Sequence, residues 1–231
     1  MRRGRKAPFS CDPNAMPQPI ARLYLATPPV ADAEAFAPRL AEACAAGEVV
    51  AVLLRLEAAD ERTLVKRVKA LAPAAQEEGA AVIVAAAGEV DLAALATRGG
   101  ADGVHVEAGP ALARPLRERL KDRILGAGGL RSKDHAMTAG EAGADYLLFG
   151  EPRPDGSLPP LDAVVERAAW WAEIFKTPCV AFAPSLDAVP RLAATGAEFV
   201  AIADAVWDHP DGPAAAIRAA LAALPTPAEA R

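Results

Sequence analysis

The sequence predicts an α/β protein that forms a single (β/α)8 TIM barrel. Its 231 residues suit one barrel, because this fold occupies roughly 200 to 250 residues. Eight short apolar runs alternate with segments of helical periodicity along the chain. In addition, Gly-Ala followed by an acidic residue occurs three times, at residues 100–102, 143–145 and 196–198. Each copy predicts a joint at which a helix ends and a strand begins.

The eight predicted strands are bounded by glycine, proline or an acidic residue, as strand ends commonly are. They comprise residues 23–25, 49–54, 81–85, 103–106, 124–125, 146–149, 179–182 and 199–202. Helical periodicity falls between them, for example in residues 32–46, 60–78 and 161–175. Eight alternations favour a closed barrel over an open doubly wound sheet. A dinucleotide-binding sheet is also disfavoured, because the loop after the first strand contains no glycine.

The two ends of the chain are expected to lie outside the barrel. Residues 1–19 contain four prolines and predict a disordered N-terminal tail. The barrel is assigned to residues 20–224, and residues 225–231 form a short C-terminal tail. The basic residues near the start are assigned to the N-terminal tail. The net charge of −5 provides no general attraction to nucleic acid, so no nucleic-acid partner is predicted.

Composition also restricts the cellular setting. No apolar run approaches the roughly 20 residues that a membrane-spanning helix requires, and the N-terminus lacks the apolar region of a secretory signal. The sequence therefore predicts a cytoplasmic protein with no membrane partner. The three cysteines are widely spaced, which favours reduced structural thiols over a metal site or a disulfide framework.

His105 is the candidate catalytic residue. It lies at the C-terminal end of the predicted fourth strand, where barrel enzymes place their active sites. An imidazole there could act as an acid, a base or a hydrogen-bond donor to a phosphate, with packing inside the barrel as an equal alternative. His135 and His209 have no second ligand at metal-binding spacing, so no metal site is predicted from them.

Two further patterns bear on function. Asp102 and Asp145 recur at the starts of strands, on the stability face of the barrel, and are predicted to accept loop amide hydrogen bonds rather than to catalyse. Gly128 and Gly129, in the glycine-rich residues 126–129, are candidate phosphate-binding residues, because their backbone amides could approach an anion ahead of a helix near Ser132. A tight turn is the alternative explanation for these glycines.

Several phrases of the chain occur in a characteristic order. They are Leu-Leu-Arg-Leu-Glu at residues 53–57, Val-Asp-Leu-Ala at 90–93, Ala-Asp-Gly-Val-His at 101–105, Gly-Ala-Asp-Tyr at 143–146, and Gly150. In this order and spacing, the chain from about Leu23 to Leu224 resembles the thiamine-phosphate synthase family. The resemblance implies a transferase of thiamine biosynthesis that joins an aminopyrimidine diphosphate to a thiazole phosphate and releases pyrophosphate. Magnesium and basic side chains assist that release.

At several positions that carry the chemistry in the family, this chain has a different residue. The family's glutamine and lysine of the second strand correspond to Leu53 and Glu57, which leaves Arg55 to meet a phosphate. Its asparagine before the Val-Asp-Leu-Ala phrase corresponds to Ala87, and its two magnesium-binding aspartates correspond to Gly88 and Pro110. No resident cofactor is therefore predicted, except magnesium if the family reaction is retained.

The remaining family positions are altered as well. The serine of its G-x-S phrase corresponds to Gly128, and its threonine-rich loop corresponds to residues 155–158, which keep the Ser157 hydroxyl and lose the lysine. The serine of the last strand corresponds to Asp204, a side chain that would repel a phosphate. An altered acidic site could be formed by Glu57, Glu107, Asp155 and Asp204. It would suit a divalent cation, an amine or a cationic heterocycle such as a thiazolium. The alternative is that these carboxylates form a solvated rim.

The sequence therefore favours a thiamine-phosphate-synthase-like protein with altered or weakened activity. The alternative is a catalytically inactive barrel that binds or senses thiamine or a phosphorylated intermediate. A different aldolase-like or isomerase-like enzyme is a third hypothesis, weakened because no inward-facing strand position offers a Schiff-base lysine. The expected partner is a small phosphorylated heterocycle or a thiamine-like ligand. A homodimer is also considered, because the adjacent Trp170 and Trp171 cannot share one helix face.

Overall fold

The computed structural model describes residues 21–107, 113–153 and 155–225. Eight parallel strands close into a barrel in chain order. Strand β1 pairs with both β2 and β8, which closes the cylinder. The predicted single (β/α)8 barrel is therefore confirmed. Strands β1 to β8 comprise, in order, Arg22–Ala26, Val49–Leu56, Ala81–Ala86, Gly103–Val106, Ile124–Ala127, Tyr146–Phe149, Cys179–Ala183 and Phe199–Ile202.

Nine α-helices surround the strands within the described ranges. Four of them begin at a residue whose side chain accepts the backbone N–H three positions later, namely Asp32, Asp60, Asp91 and Ser132. Such caps satisfy amides that lack a partner inside the helix. They fix the points at which loops from the C-terminal strand ends enter the helices. Helices α1 to α9 comprise Ala33–Ala45, Glu61–Gln76, Leu92–Gly99, Ala113–Leu120, Lys133–Glu141, Leu161–Ile174, Val189–Ala193, Asp204–Trp207 and Pro213–Ala223.

The core has two layers, because successive strand residues point to opposite faces. The outer layer joins strands to helices and is rich in alanine, which lets the helices pack closely on the barrel. The inner layer fills the barrel, so that the interior is packed rather than hollow. Its members include Tyr24, Leu53, Ile83, Tyr146, Leu148, Val180 and Phe182.

The three repeated joints carry carboxylates that bind the neighbouring strand. Asp102 accepts a hydrogen bond from the Val82 backbone N–H at 2.7 Å, and Asp145 accepts one from Leu125 at 2.8 Å. At the third joint, Glu198 accepts from the Cys179 backbone N–H at 2.9 Å. Each carboxylate precedes its own strand and binds the strand before it. The recurring acidic residues therefore secure strand pairing at the end of the barrel opposite the candidate site.

Strand boundaries differ from the predicted ones at several ends. Strand β2 continues to Leu56 rather than to residue 54, and β5 continues to Ala127 rather than to residue 125. The cause is pairing: Arg55 is in register with Ala85, and Val106 with Ala127. These extensions place Arg55 within a strand and bring residue 127 to the C-terminal face.

The remaining predictions concern the chain ends, the cysteines and membrane-spanning helices. Residues 1–19, including Cys11, and most of the C-terminal tail lie outside the described residues. Cys44 and Cys179 are buried free thiols. Within the described ranges, none of the helices combines the length and apolarity that crossing a membrane would require.

Candidate functional site

A cavity of about 490 Å³ opens at the C-terminal ends of β2, β3 and β4. Its wall includes Arg55, Glu57, His105 and Glu107 together with small apolar residues at positions 85–87. Sequence positions more than 45 residues apart therefore meet at one opening, because parallel strands end at the same face of the barrel. This cavity is the candidate functional site.

Arg55 is positioned by the end of the first strand. Its backbone N–H donates to Thr27 Oγ1 at 3.0 Å, and Thr27 is fully buried. Its side chain lines the cavity, with Nε 3.8 Å from Glu107 Oε1. The Arg55 side chain is 24% exposed, so a ligand in the cavity can reach the guanidinium. The arrangement gives the mouth one cation beside one anion.

His105 lies at the bottom of this cavity and is almost fully buried. Its Nδ1 is 3.0 Å from the Tyr146 hydroxyl, which in turn is 2.8 Å from the Tyr24 hydroxyl. Burial, and then the nearby Arg55 guanidinium, lower the pKa of His105 from 6.5 to about 3. The imidazole is therefore neutral near pH 7. It is suited to donating or accepting a hydrogen bond more than to carrying charge.

Glu151 is a second titratable group at the site. It follows β6 directly after Gly150, whose positive φ of 100° turns the chain back over the barrel mouth. Its side chain is half-buried and lines a small recess with Arg55, His105 and Glu107. Desolvation raises the pKa of Glu151 from 4.5 to about 7, although the hydrogen bond from the Gly129 backbone N–H acts in the opposite direction.

Gly128 lies against the side chains of both Glu151 and His105. A Cβ at this position would lie 2.5 Å from Glu151 Oε1 and 2.7 Å from His105 Nε2. Any larger residue at position 128 would therefore displace one of these side chains. The Gly128 backbone N–H already donates to the Val106 carbonyl at 2.8 Å, and the Gly129 N–H donates to Glu151. The glycine loop thus has its amides partnered within the chain.

The other candidate residues lie apart from the cavity wall. Asp155 and Ser157 are exposed and bond to each other, with Ser157 Oγ 2.7 Å from Asp155 Oδ1. Asp204 is exposed at the first position of α8. None of these three lines the cavity described above. The structure brings Arg55 and Glu57 to the mouth with His105 and Glu107. Asp155, Ser157 and Asp204 lie away from this mouth.

The described side chains do not fit a magnesium ion at the positions that the sequence resemblance implies. Mg²⁺ requires oxygen ligands, usually carboxylates. Ala87 and Gly88 line the cavity but have no side-chain ligand atoms, and Pro110 lies outside the described residues. Across residues 21–107, 113–153 and 155–225, no group of three or more His, Cys, Asp or Glu side chains could hold a metal ion.

Sequence reasoning missed Glu151 and two tyrosines, namely Tyr146, which contacts His105, and Tyr24, which contacts Tyr146. A signal for Glu151 was available, because an acidic residue directly after a strand lies on the functional face of a barrel. Tyr24 and Tyr146 were assigned only as strand residues. Nothing in their local sequence indicates that residues 24, 105 and 146 share one hydrogen-bonded chain.

Comparison with known proteins gives consistent results. A family model described as thiamine monophosphate synthase matches residues 23–206. The chain is 42% identical over 199 residues to a thiamine-phosphate synthase of Rhodospirillum centenum, covering 85% of this chain and 94% of the relative. It is 39% identical over 216 residues to a thiamine-phosphate synthase of Hyphomonas neptunium, covering 89% and 94%. The structure of thiamine phosphate pyrophosphorylase from Pyrococcus furiosus matches with a TM-score of 0.70 and 25% identity, covering 87% of this chain and 94% of that one.

Proposed function

Because this chain belongs to the thiamine monophosphate synthase family, we propose that it is a thiamine-phosphate-synthase-like transferase with weakened activity. The single observation that carries the proposal is the charge of the mouth. Among the described residues that line the cavity, Arg55 is the one arginine or lysine, and it stands beside Glu57 and Glu107. The substrates would be a phosphorylated pyrimidine and a phosphorylated thiazole.

The physical argument concerns the departure of pyrophosphate. Negative charge develops on the leaving group, and donors aimed at that charge supply much of the rate acceleration in such sites. Arg55 and the neutral His105 remain as donors at the cavity. Loss of a single preorganised donor commonly reduces kcat by about 10²-fold to 10³-fold. Glu57, where the resemblance implies a lysine, both removes a cation and adds an anion, so we expect a slow condensation.

A second candidate function is binding without turnover. It is favoured by Glu151, whose carboxylate accepts the Gly129 backbone N–H and so takes an amide that could otherwise face a phosphate. Together with Glu57 and Glu107, it makes the mouth suitable for a cationic heterocycle such as a thiazolium. In this case the barrel binds or senses thiamine or a phosphorylated intermediate.

The two functions are separated by measuring turnover and binding on the same full-length protein. The protein is incubated with magnesium and both phosphorylated precursors, and thiamine phosphate is quantified. Weak but enzyme-dependent product supports the transferase. Complete absence of product at high enzyme concentration rejects it. A thermal shift with thiamine or thiazole phosphate then supports the binding function, because a ligand that binds only the folded state stabilises it.

Arg55 provides the site-specific control for both measurements. We expect Arg55→Ala to abolish the thermal shift with thiazole phosphate and to reduce any turnover, because it removes the cavity's cation. Arg62→Ala is the matched control, since Arg62 is exposed and does not line the cavity. An unchanged thermal shift in Arg55→Ala removes Arg55 from the phosphate-binding site.

Two further properties follow as proposals from the sequence. A homodimer would use the surface of α6, where Trp170 is half-buried and Ile174 is 59% exposed. Sedimentation velocity at micromolar concentration tests this, and Ile174→Lys should weaken the dimer. A cytoplasmic location is the second property, and cell fractionation tests it.

A further inference from the structure

Three polar rings form a continuous hydrogen-bonded chain through the barrel interior. Tyr24 on β1 contacts Tyr146 on β6, with 2.8 Å between the hydroxyl oxygens, and Tyr146 contacts His105 Nδ1 on β4 at 3.0 Å. The exposed fractions are 2% for Tyr24, 6% for Tyr146 and 2% for His105. Water therefore has little access to the two hydroxyl groups, and each hydroxyl hydrogen must find its acceptor within the chain.

The order of donors follows from counting hydrogens. Each tyrosine hydroxyl carries one hydrogen, and within the described residues the hydroxyl of Tyr24 has Tyr146 as its hydrogen-bond partner. If Tyr146 donated to Tyr24, the buried Tyr24 hydrogen would have no acceptor, which is costly in a protein interior. Tyr24 therefore donates to Tyr146, and Tyr146 donates to Nδ1 of His105.

This order fixes the tautomer of His105. A neutral imidazole has one protonated and one unprotonated nitrogen, so an accepting Nδ1 leaves the hydrogen on Nε2. His105 Nε2 faces Gly128, 2.7 Å from the point at which a Cβ of that residue would lie. The contact at Nδ1 thus selects the Nε2–H tautomer.

The surroundings also keep the imidazole uncharged. Burial and the Arg55 guanidinium hold the pKa of His105 near 3. The two tyrosine hydroxyls do not supply a negative charge near neutral pH, because burial raises the pKa of both well above the usual value of 10. His105 is therefore a neutral hydrogen-bond donor rather than a general acid or base.

We propose that Tyr24 and Tyr146 are positioning residues that hold His105 as the Nε2–H tautomer, so that the cavity presents a fixed hydrogen-bond donor. A ligand that meets this donor must offer an acceptor, such as an unprotonated ring nitrogen or a phosphate oxygen. A ligand with an N–H at the same point is disfavoured. The tautomer assignment stands by itself, whereas its effect on ligand choice rests on the proposed function of the cavity.

Nuclear magnetic resonance measures the tautomer directly. The full-length chain contains three histidines, and long-range 1H–15N correlation of a 15N-labelled sample distinguishes protonated from unprotonated ring nitrogens. His105→Gln assigns the His105 signals by their loss. We expect His105 to show a protonated Nε2 and an unprotonated Nδ1 from pH 8 down to pH 5. A protonated Nδ1, or a doubly protonated ring at pH 6, overturns the proposal.

Tyrosine variants test whether the hydroxyls set the tautomer. Tyr146→Phe removes the direct donor to Nδ1, and we expect the His105 nitrogen shifts to move toward a mixture of both tautomers. Tyr24→Phe leaves Tyr146 in contact with Nδ1 but removes the hydrogen bond that Tyr146 accepts, so a smaller change is expected. If Tyr146→Phe does not fold, Tyr24→Phe decides the question. Shifts identical to those of the wild type in a folded variant overturn the positioning role.

Ligand binding supplies the functional measurement, with thiazole phosphate as the probe in calorimetry. We expect Tyr146→Phe to weaken binding roughly fivefold to tenfold, since about one hydrogen bond becomes misdirected. His105→Gln retains an N–H donor and should bind more tightly than His105→Leu. Equal affinity in the Gln and Leu variants overturns the donor role. Absence of condensation product would contradict the proposed transferase alone, because the tautomer measurement uses no substrate.

Discussion

Replacing Glu151 by glutamine removes a charge from the mouth while it keeps the size of the side chain and an acceptor for the Gly129 amide. In the wild type, desolvation raises the pKa of Glu151 from 4.5 to about 7. The folded state therefore holds this proton more tightly than the unfolded chain does. Its contribution to stability is fully present below pH 4.5 and is lost as the pH rises through 7.

The size of this loss follows from the two pKa values. The difference between 4.5 and about 7 corresponds to roughly 3 kcal/mol of unfolding free energy. Partial contact of the half-buried side chain with water reduces the expected effect to about 2 kcal/mol. The glutamine variant has no such proton. Its unfolding free energy, relative to the wild type, should therefore rise by about 2 kcal/mol between pH 4.5 and 8.5.

Urea unfolding at several pH values measures this difference, because other titrating groups cancel between variant and wild type. Glu57→Gln is the matched control, since Glu57 is an exposed carboxylate of the same cavity. This substitution removes a carboxylate from the cavity wall and leaves Glu151 in place. A difference for Glu151→Gln that is independent of pH, or that falls as the pH rises, would refute the assignment of a strongly perturbed carboxyl group at this position.

Two further substitutions test the joints and the barrel interior. Asp102→Ala should lower the unfolding free energy by about 1 to 3 kcal/mol, because it leaves the buried Val82 N–H without its acceptor. In the control Asp155→Ala, the unfolding free energy should change by no more than about 0.5 kcal/mol. Ligand affinity at the mouth should be unchanged in Asp102→Ala, and a large loss of affinity with normal stability would argue for a functional role. Gly126→Ala should cost about 1 to 3 kcal/mol, since its Cβ would collide with the Tyr146 ring; unaltered urea unfolding would contradict that packing.

The scaffold could be predicted from the sequence because its signals are local. Strand periodicity, helical periodicity and the repeated Gly-Ala-acidic joints each involve neighbouring residues, and they agree with one another. Asp102 and Asp145 could be assigned a structural role, since a residue that recurs in several repeats performs a structural task in each, although the amides they bind lie in strands rather than in loops. Arg55 and His105 could be placed at the functional face because parallel strands end together there.

The family could also be recognised from the ordered sequence phrases. The pKa of Glu151 and the hydrogen bonds of the glycine loop could not be predicted from them. Glu151 acquires its raised pKa from the protein that surrounds it, and sequence alone does not show that a loop residue turns back over the barrel mouth. The glycine loop offered amides to an anion by its composition, yet the fold supplies Glu151 as the acceptor at Gly129.

The sequence by itself determined the barrel and the residue types at its mouth. Only the tertiary structure decided how three distant side chains, Tyr24, Tyr146 and His105, share their hydrogens. The physical reason is that a buried hydrogen bond depends on the position and burial of both partners, and closure of the barrel sets these for residues far apart in the chain.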